Sequence, residues 1–181
     1  VVKRSRGVAE GMSKGVQFLM KKNKIDVIDG FGKVKAGKKV DVTAEDGKVT
    51  EYSADNIIIA TGARSRVLPN LPQDGVKVIG YRQAMTLPSQ PKSMIVVGSG
   101  AIGVEFASFY NSMGTDVTIV EFQPNIVPVE DKDISKQFER SLKKAGIKIM
   151  TSSSVETIDT SGDGVKASVK TKKGEETLEA D

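Results

Sequence analysis

Residues 93–122 read "SMIVVGSGAIGVEFASFYNSMGTDVTIVEF" and combine an apolar run, a glycine-rich turn, a helical pattern and a second apolar run. The runs over residues 94–97 and 117–121 predict two buried strands, and the segment between them predicts a helix that stops at Gly114. A strand, a crossover helix and a second strand form a βαβ unit, in which the strands are parallel and the crossover is right-handed. The stretch therefore predicts an α/β fold built on a parallel sheet.

The turn between the first strand and the helix has the spacing G-x-G-x-x-G. Its glycines are Gly98, Gly100 and Gly103. In such a turn the first glycine permits the tight bend, the second lets the backbone approach a pyrophosphate, and the third allows the helix to pack closely on the strand. The anion then lies against free amides at the helix N-terminus. Taken alone, the three glycines fit a plain structural turn equally well; the strand before them and the helix after them favour dinucleotide binding.

Glu121 indicates which dinucleotide is bound. It ends the second predicted strand, 18 residues after Gly103. A carboxylate in this place accepts hydrogen bonds from both hydroxyls of the adenosine ribose and repels a 2′-phosphate. The prediction is NAD rather than NADP.

Two further kinds of side chain in this stretch have alternative interpretations. Glu105 is either a helix-start charge favoured by the helix dipole or a contact to the nicotinamide end of the cofactor. The rings of Phe106, Phe109 and Phe122 are predicted to lie in the core rather than to stack on a base.

The pattern continues beyond this stretch with a second helix and a third strand. The helix is predicted from Asp131 to Ala145 and stops at Gly146, and the strand is predicted from Ile147 to Met150. The resulting βαβαβ order implies a parallel sheet. After Ser154 the chain changes to short β-prone runs between Gly and Asp turns, which predicts an antiparallel meander.

The first half of the chain has a helix, a meander and a buried strand by the same criteria. Apolar residues at spacings of three and four over residues 8–24 predict an amphipathic helix. A meander follows, and Ile57, Ile58 and Ile59 then predict a strand buried on both faces that enters the turn Ala60-Thr61-Gly62.

The two meanders end alike, which indicates an internal repeat. The first closes with "GKVTEYSAD" at residues 47–55 and the second with "GEETLEAD" at residues 174–181. The repeat predicts two nucleotide-binding units, of which the first lacks its opening strand and glycine turn and the second lacks its last strand. A proline-containing connector over residues 63–93 places their boundary near residue 90. The chain is expected to be an internal fragment of a longer protein.

The composition excludes several classes of chemistry. The 181 residues include no Cys and no His, so the side chains provide no disulfide, thiolate, imidazole base or typical zinc site. No apolar run is long enough to span a membrane. Residues 1–50 carry 12 Lys or Arg against 6 Asp or Glu, but the lysines at 21, 22 and 24 fall at the end of a predicted helix, where the dipole favours them. We therefore expect neither a membrane nor a nucleic-acid partner.

Five segments together give the chain a family resemblance: "SKGVQFLMKKNKI", "GFGKV", "ADNIIIATGA", "VVGSGAIGVEFASFYNSMGTDVTIVEFQPNIVP" and "TSGDGVKASV". With them the chain resembles the flavin-dependent disulfide oxidoreductases, and among these the dihydrolipoyl dehydrogenases. The motifs "IIIATGA" and "GSGAIGVE" fit the wider superfamily, which includes glutathione and thioredoxin reductases. "GVQFLMKKNKI" and "VEFQPNIVP" narrow the resemblance to the lipoamide branch.

The resemblance implies a Rossmann-like NAD-binding domain over residues 91–181, with a parallel sheet, helices and an antiparallel meander. Residues 1–90 would be the C-terminal part of an FAD-binding domain. The implied NAD contacts are Gly98, Ser99, Gly100, Ala101, Ile102, Gly103, Val104, Glu105, Glu121 and, through its backbone to adenine, Val155. The implied FAD contacts are Gly32, Thr61, Gly62 and Ala63.

The resemblance also implies an activity for the whole protein. Electrons would pass from dihydrolipoamide to a redox disulfide, then to FAD and NAD, in a homodimer that serves the lipoyl domains of 2-oxoacid dehydrogenase complexes. The location would be the cytoplasm, or the mitochondrial matrix in a eukaryote. The cysteines and the catalytic His and Glu of the family fall outside the matched segments, so this chain is predicted to hold no catalytic residue and at most to bind NAD.

Two other functions remain open from the residues alone. One is a stand-alone NAD-binding or scaffold module without redox groups. The other is a related NAD(P)H-dependent disulfide reductase with a different acceptor, which Glu121 disfavours because its charge selects NAD.

Overall fold

The computed structural model describes residues 1–181 and divides the chain into two compact units, Val1–Arg64 and Ser65–Asp181. This division is one of compactness. The boundary between nucleotide-binding units near residue 90 stays a prediction.

The first unit contains one helix and one antiparallel sheet. Helix α1 covers Val2–Lys22, and the strands are β1 (Phe31–Lys35), β2 (Lys39–Thr43) and β3 (Val49–Ser53), in the order β1-β2-β3. The predicted meander is therefore confirmed. The predicted helix is also present, although it begins at Val2 rather than at residue 8.

The first unit has no buried residue. The predicted buried strand of Ile57, Ile58 and Ile59 is wrong for this structure, because these residues have no strand pairing and Ile58 and Ile59 are 90% and 72% exposed. A strand of a parallel sheet needs neighbouring strands for its backbone hydrogen bonds and packed layers for its side chains. No segment of the chain pairs with these isoleucines, so their apolar pattern alone does not make a strand.

The second unit is built on a parallel sheet and an antiparallel sheet. Its elements are α2 (Tyr81–Ala84), β4 (Ser93–Val97), α3 (Ala101–Ser112), β5 (Asp116–Val120), α4 (Lys132–Lys144), β6 (Lys148–Met150), β7 (Ser154–Asp159), β8 (Val165–Thr171) and β9 (Gly174–Ala180). The sheet β4-β5-β6 is parallel and the sheet β7-β8-β9 is antiparallel. The predicted α/β fold class is confirmed, and the third strands β3 and β9 coincide with the two repeated segments.

Local signals explain why the boundaries of α4 and of the three parallel strands follow the prediction within about one residue. The Asp131 carboxylate caps α4 by accepting hydrogen bonds from the amides of Asp133 and Ile134. Gly114 and Gly146, at φ values of +99° and +102°, follow the last residues of α3 and α4 in the left-handed conformation that only glycine adopts without strain.

The core of the second unit lies on both faces of the parallel sheet. One cluster joins the sheet to α3 and α4 through Val104, Ala107, Tyr110, Val117, Ile119, Ile126, Val127, Leu142 and Ile147. The other joins the sheet to the antiparallel layer through Leu71, Val120, Val155, Ala167 and Val169.

The Tyr110 hydroxyl donates to the Ala84 carbonyl at 2.6 Å, and this hydrogen bond links α3 to α2. Burial raises the pKa of the Tyr110 phenol. No helix in the structure is both long and apolar enough to cross a lipid bilayer.

Candidate dinucleotide site at the carboxyl ends of the strands

The glycine turn lies where β4 ends. The Gly98 amide donates to the Val120 carbonyl at 2.8 Å, which extends the parallel pairing by one bond beyond the strand. Gly98 then turns the chain with φ of +94°, a conformation that disfavours any side chain. Gly100 follows as the N-cap residue of α3. In open parallel sheets, ligands bind at this end of the strands.

The other two glycines differ in how closely protein atoms surround them. A Cβ on Gly103 would lie 2.2 Å from the Gly98 carbonyl oxygen, so no side chain fits where the helix crosses the turn. A Cβ on Gly100 would meet no protein atom within 4 Å. The space above Gly100 is therefore open to a ligand, and a pyrophosphate could approach the backbone there.

The N-terminus of α3 offers backbone donors for an anion. No side chain caps the helix, and the first helical hydrogen bond runs from the Val104 amide to the Gly100 carbonyl at 3.1 Å. The amides of residues 100–103 thus precede the regular pattern of helical hydrogen bonds. Four donors and the positive end of the helix dipole meet the requirements of a phosphate group.

Glu121 connects the end of β5 to the glycine turn. One carboxylate oxygen, Oε2, accepts from the Ser99 amide at 2.7 Å and from the Ser99 hydroxyl at 2.6 Å. The other oxygen, Oε1, accepts from the Gln123 amide at 2.7 Å. Ser99 is fully buried and Glu121 is only 6% exposed, so these charge-assisted bonds are shielded from water.

The sequence predicted both residues as site residues but not the bonds between them. Ser99 and Glu121 are 22 positions apart, and only the parallel pairing of β4 with β5 brings them together. The one signal in the sequence was the serine between Gly98 and Gly100. A hydroxyl in that place can reach the acidic residue that follows the next parallel strand.

Val155 lies at the start of β7 with its side chain in the core and Val169 as its register partner. Its carbonyl accepts from the side-chain amide of Asn70 at 3.2 Å. The predicted contact between Val155 and adenine stays a prediction.

The structure corrects two details of this stretch. Glu105 is the fifth residue of α3, and the first turn of the helix contains no acidic residue. The Glu105 side chain is exposed and makes no ion pair.

Phe122 is 72% exposed and Phe109 is 44% exposed, so placing these rings in the core was wrong. Phe106 does pack against the core. The apolar character of the three phenylalanines does not show which of them is buried, because the burial of each ring depends on which other part of the fold packs over it.

The residues predicted to contact FAD lie in the first unit. Gly32 lies in β1, opposite Val42, and Thr61, Gly62 and Ala63 are exposed in a segment without helix or strand. Gly62 has φ of +73°, as a turn residue does. No hydrogen bond links Gly32 to this segment, and the predicted FAD contacts stay a prediction.

A separate groove of the second unit is lined by residues of the three parallel strands and of β9. The first residues of the three parallel strands, Ser93, Asp116 and Lys148, line it together with Glu176 and Glu179 of β9. Lys148 and Asp116 form an ion pair of 2.9 Å. None of the predicted NAD residues lines this groove, so we place the candidate site at the glycine turn and not in the groove.

The sequence profile of the family described as "Pyridine nucleotide-disulphide oxidoreductase" matches residues 2–181. The chain belongs to the pyridine nucleotide-disulphide oxidoreductase family. The profile covers both compact units, so the first unit shares this assignment with the unit that carries the glycine turn.

Relatives within the pyridine nucleotide-disulphide oxidoreductase family include dihydrolipoyl dehydrogenases. A dihydrolipoyl dehydrogenase of Zymomonas mobilis is 41% identical over 179 residues, which are 99% of this chain and 38% of the relative. A crystal structure of LpdA from Mycobacterium tuberculosis superposes with a TM-score of 0.88 at 30% identity, over 99% of this chain and 40% of that one. The flavoprotein disulfide reductase RclA from Escherichia coli gives a TM-score of 0.78 at 28% identity, with the same two coverages. The chain thus spans about two fifths of the length of the proteins it matches.

Proposed function

We propose that this chain is an internal part of a dihydrolipoyl dehydrogenase and that its second unit binds NAD. The observation that carries the proposal is the glycine turn, which has open space above Gly100 and free amides at the start of α3 that could bind a phosphate. The turn is hydrogen-bonded to the buried carboxylate of Glu121. The high identity to a dihydrolipoyl dehydrogenase over nearly the whole chain supports the same assignment.

The residues present fit the adenosine and pyrophosphate parts of NAD. Gly98 to Glu105 would hold the pyrophosphate and approach the nicotinamide, with backbone amides as the donors. Glu121 would bind the adenosine ribose, and its negative charge would repel the 2′-phosphate of NADP. Val155 would contact adenine. Residues 91–181 would form this NAD domain and residues 1–90 the end of an FAD domain.

The activity proposed for the whole protein is the oxidation of dihydrolipoamide by NAD through a redox disulfide and FAD. NAD supplies the hydride acceptor of that reaction. The whole protein would act as a homodimer on the lipoyl domains of 2-oxoacid dehydrogenase complexes, in the cytoplasm or the mitochondrial matrix. This chain alone has no Cys and no His, so it provides neither the thiolate nor the imidazole base that dithiol chemistry requires.

FAD is expected to bind this chain poorly. Gly32 and the Thr61–Ala63 segment are exposed, and the first unit has no buried residue against which a flavin could be held. Four exposed contacts do not bury a ligand of this size.

Calorimetric titration tests the NAD site. We expect binding of NAD in the millimolar range or tighter and weaker binding of NADP. The substitution Glu121→Gln should reduce the preference for NAD because it removes the charge that opposes the 2′-phosphate. Glu130→Gln, which neutralises an exposed carboxylate outside the site, is the matched control and should keep the preference. Absence of heat with millimolar NAD would refute the proposal.

A second candidate is a disulfide reductase of the same family with another acceptor. The similarity to RclA favours it, because a flavoprotein disulfide reductase superposes on nearly the whole chain. The two candidates share the NAD site and differ in the thiol or disulfide substrate that exchanges electrons with the redox disulfide. Assays of the full-length protein with dihydrolipoamide and NAD separate them, since only the first candidate predicts rapid formation of NADH.

A further inference from the structure

We propose that Ser99 is a positioning residue that fixes Glu121 so that it can accept only one hydroxyl of the adenosine ribose. This inference rests on the proposed NAD site. It replaces the expectation that Glu121 accepts from both hydroxyls.

The hydrogen bonds of the carboxylate limit what a ligand can reach. A carboxylate has about four lone-pair positions, two on each oxygen. Ser99 fills both positions of Oε2, one through its amide at 2.7 Å and one through its hydroxyl at 2.6 Å. The Gln123 amide fills one position of Oε1 at 2.7 Å. One position on Oε1 remains for a ligand.

Burial prevents the carboxylate from escaping this arrangement. Ser99 is fully enclosed and Glu121 is 6% exposed, so neither side chain can exchange its partner for water without opening the core. The backbone of Glu121 is also held, because its amide donates to the Met150 carbonyl and its carbonyl accepts from the Ser153 amide. The carboxylate therefore presents a fixed direction to an incoming ribose.

The turn is fixed from its other side as well. The Ser99 carbonyl accepts from the Val127 amide at 3.0 Å, so the residue that carries the hydroxyl is bonded through its amide, its carbonyl and its side chain. The same serine thus holds the backbone that would face the pyrophosphate and the carboxylate that would face the ribose. The hydrogen bond that its backbone amide donates to Glu121 survives substitution by alanine, whereas the hydrogen bond from its hydroxyl is lost.

Three ligands test the inference: NAD and its analogues with a 2′-deoxyadenosine or a 3′-deoxyadenosine moiety. In the unaltered chain we expect one analogue to bind at least about tenfold more weakly than NAD, because it lacks a hydrogen bond to a charged group, and the other to bind almost as NAD does. In Ser99→Ala the hydroxyl bond to Oε2 is lost, so a second acceptor position of the carboxylate becomes free for the other ribose hydroxyl. The difference in affinity between the two analogues should therefore narrow.

Ser135→Ala is the matched control. Ser135 is also buried, and its hydroxyl donates to the Val127 carbonyl rather than to Glu121. It should lower the melting temperature, as Ser99→Ala does, but keep the difference between the two analogues.

The outcomes separate this inference from the proposed function. Equal losses for the two analogues in the unaltered chain would overturn the single-hydroxyl arrangement and leave the NAD site intact. A difference that persists unchanged in Ser99→Ala would reduce Ser99 to a structural role and overturn the inference. Failure of all three ligands to bind would overturn both proposals. NADP should remain disfavoured in Ser99→Ala, since the Glu121 charge is still present.

Discussion

At the residue scale, two glycines of the turn, Gly103 and Gly100, make separable contributions to folding and to binding. Gly103 is required by packing, because a Cβ there would approach the Gly98 carbonyl oxygen to 2.2 Å. Gly100 is not, because its surroundings are open. A substitution at Gly103 should therefore affect the stability of the fold, and a substitution at Gly100 should affect ligand binding.

Gly103→Ala should destabilise the second unit by about 1–3 kcal/mol, the usual cost of forcing an extra methyl group into a packed site. The melting temperature should fall, and NAD affinity should fall with it, because the turn must move. Gly100→Ala should cost less than about 1 kcal/mol, as an alanine N-cap does, yet weaken NAD binding strongly.

Gly162→Ala is the control for both variants. Its Cβ would meet no atom within 4 Å and it lies in the turn between β7 and β8, away from the glycine turn. Thermal unfolding and calorimetric titration measure the two effects. A large loss of stability in Gly100→Ala, or none in Gly103→Ala, would contradict the assignment of these roles.

At the element scale, the sequence predicted elements whose ends are set locally and failed where burial depends on other elements. The Asp131 cap and the glycines at 114 and 146 mark their helix ends by backbone chemistry that a short stretch contains. The burial of Ile58 and of Phe122 depends on the layer that covers them, which no local pattern reveals. The bond from Ser99 to Glu121 was missed for the same reason, since strand pairing creates it.

Helix α1 should be the least protected helix of the chain. Gly7, Gly11 and Gly15 lie in its interior, and each costs about 1 kcal/mol relative to alanine. No residue of the helix is buried and no side chain caps its N-terminus, so tertiary packing does not offset that cost.

Hydrogen exchange followed by mass spectrometry measures this difference. We expect the amides of α1 and of β1 to β3 to exchange orders of magnitude faster than those of β5, whose residues Val117, Ile119 and Val120 are fully enclosed. The exchange of α4, a helix of the second unit that packs through Leu142, is the internal control. Comparable protection of α1 and β5 would show that the first unit is stabilised by something other than burial.

At the scale of the whole molecule, the chain consists of one unit with a core and one without. Arg64 and Arg66 lie at the junction, in an exposed segment without helix or strand, and neither forms an ion pair. Trypsin cleaves after arginine and lysine in segments that can open locally.

Limited trypsin digestion should therefore remove the first unit and leave a product that begins at Ser65 or Val67 and ends at Asp181. Four lysines of the second unit have side-chain partners; Lys77, for example, donates to the Thr160 carbonyl at 2.7 Å. Mass spectrometry identifies the product. The double substitution Arg64→Gln and Arg66→Gln should delay this product, and early cleavage between residues 93 and 171 would contradict the expectation.

The same digestion tests whether the NAD site belongs to the second unit alone. Every proposed NAD contact lies between Gly98 and Val155, and each hydrogen bond that holds Ser99 and Glu121 comes from a residue of that unit. If those bonds shape the site, the trypsin product should bind NAD with the affinity of the intact chain, and its preference over NADP should persist. Titration of the purified product against the undigested chain measures this. A marked loss of affinity would mean that residues before Ser65 contribute to the site, and the glycine turn with Glu121 would then be insufficient to bind the dinucleotide.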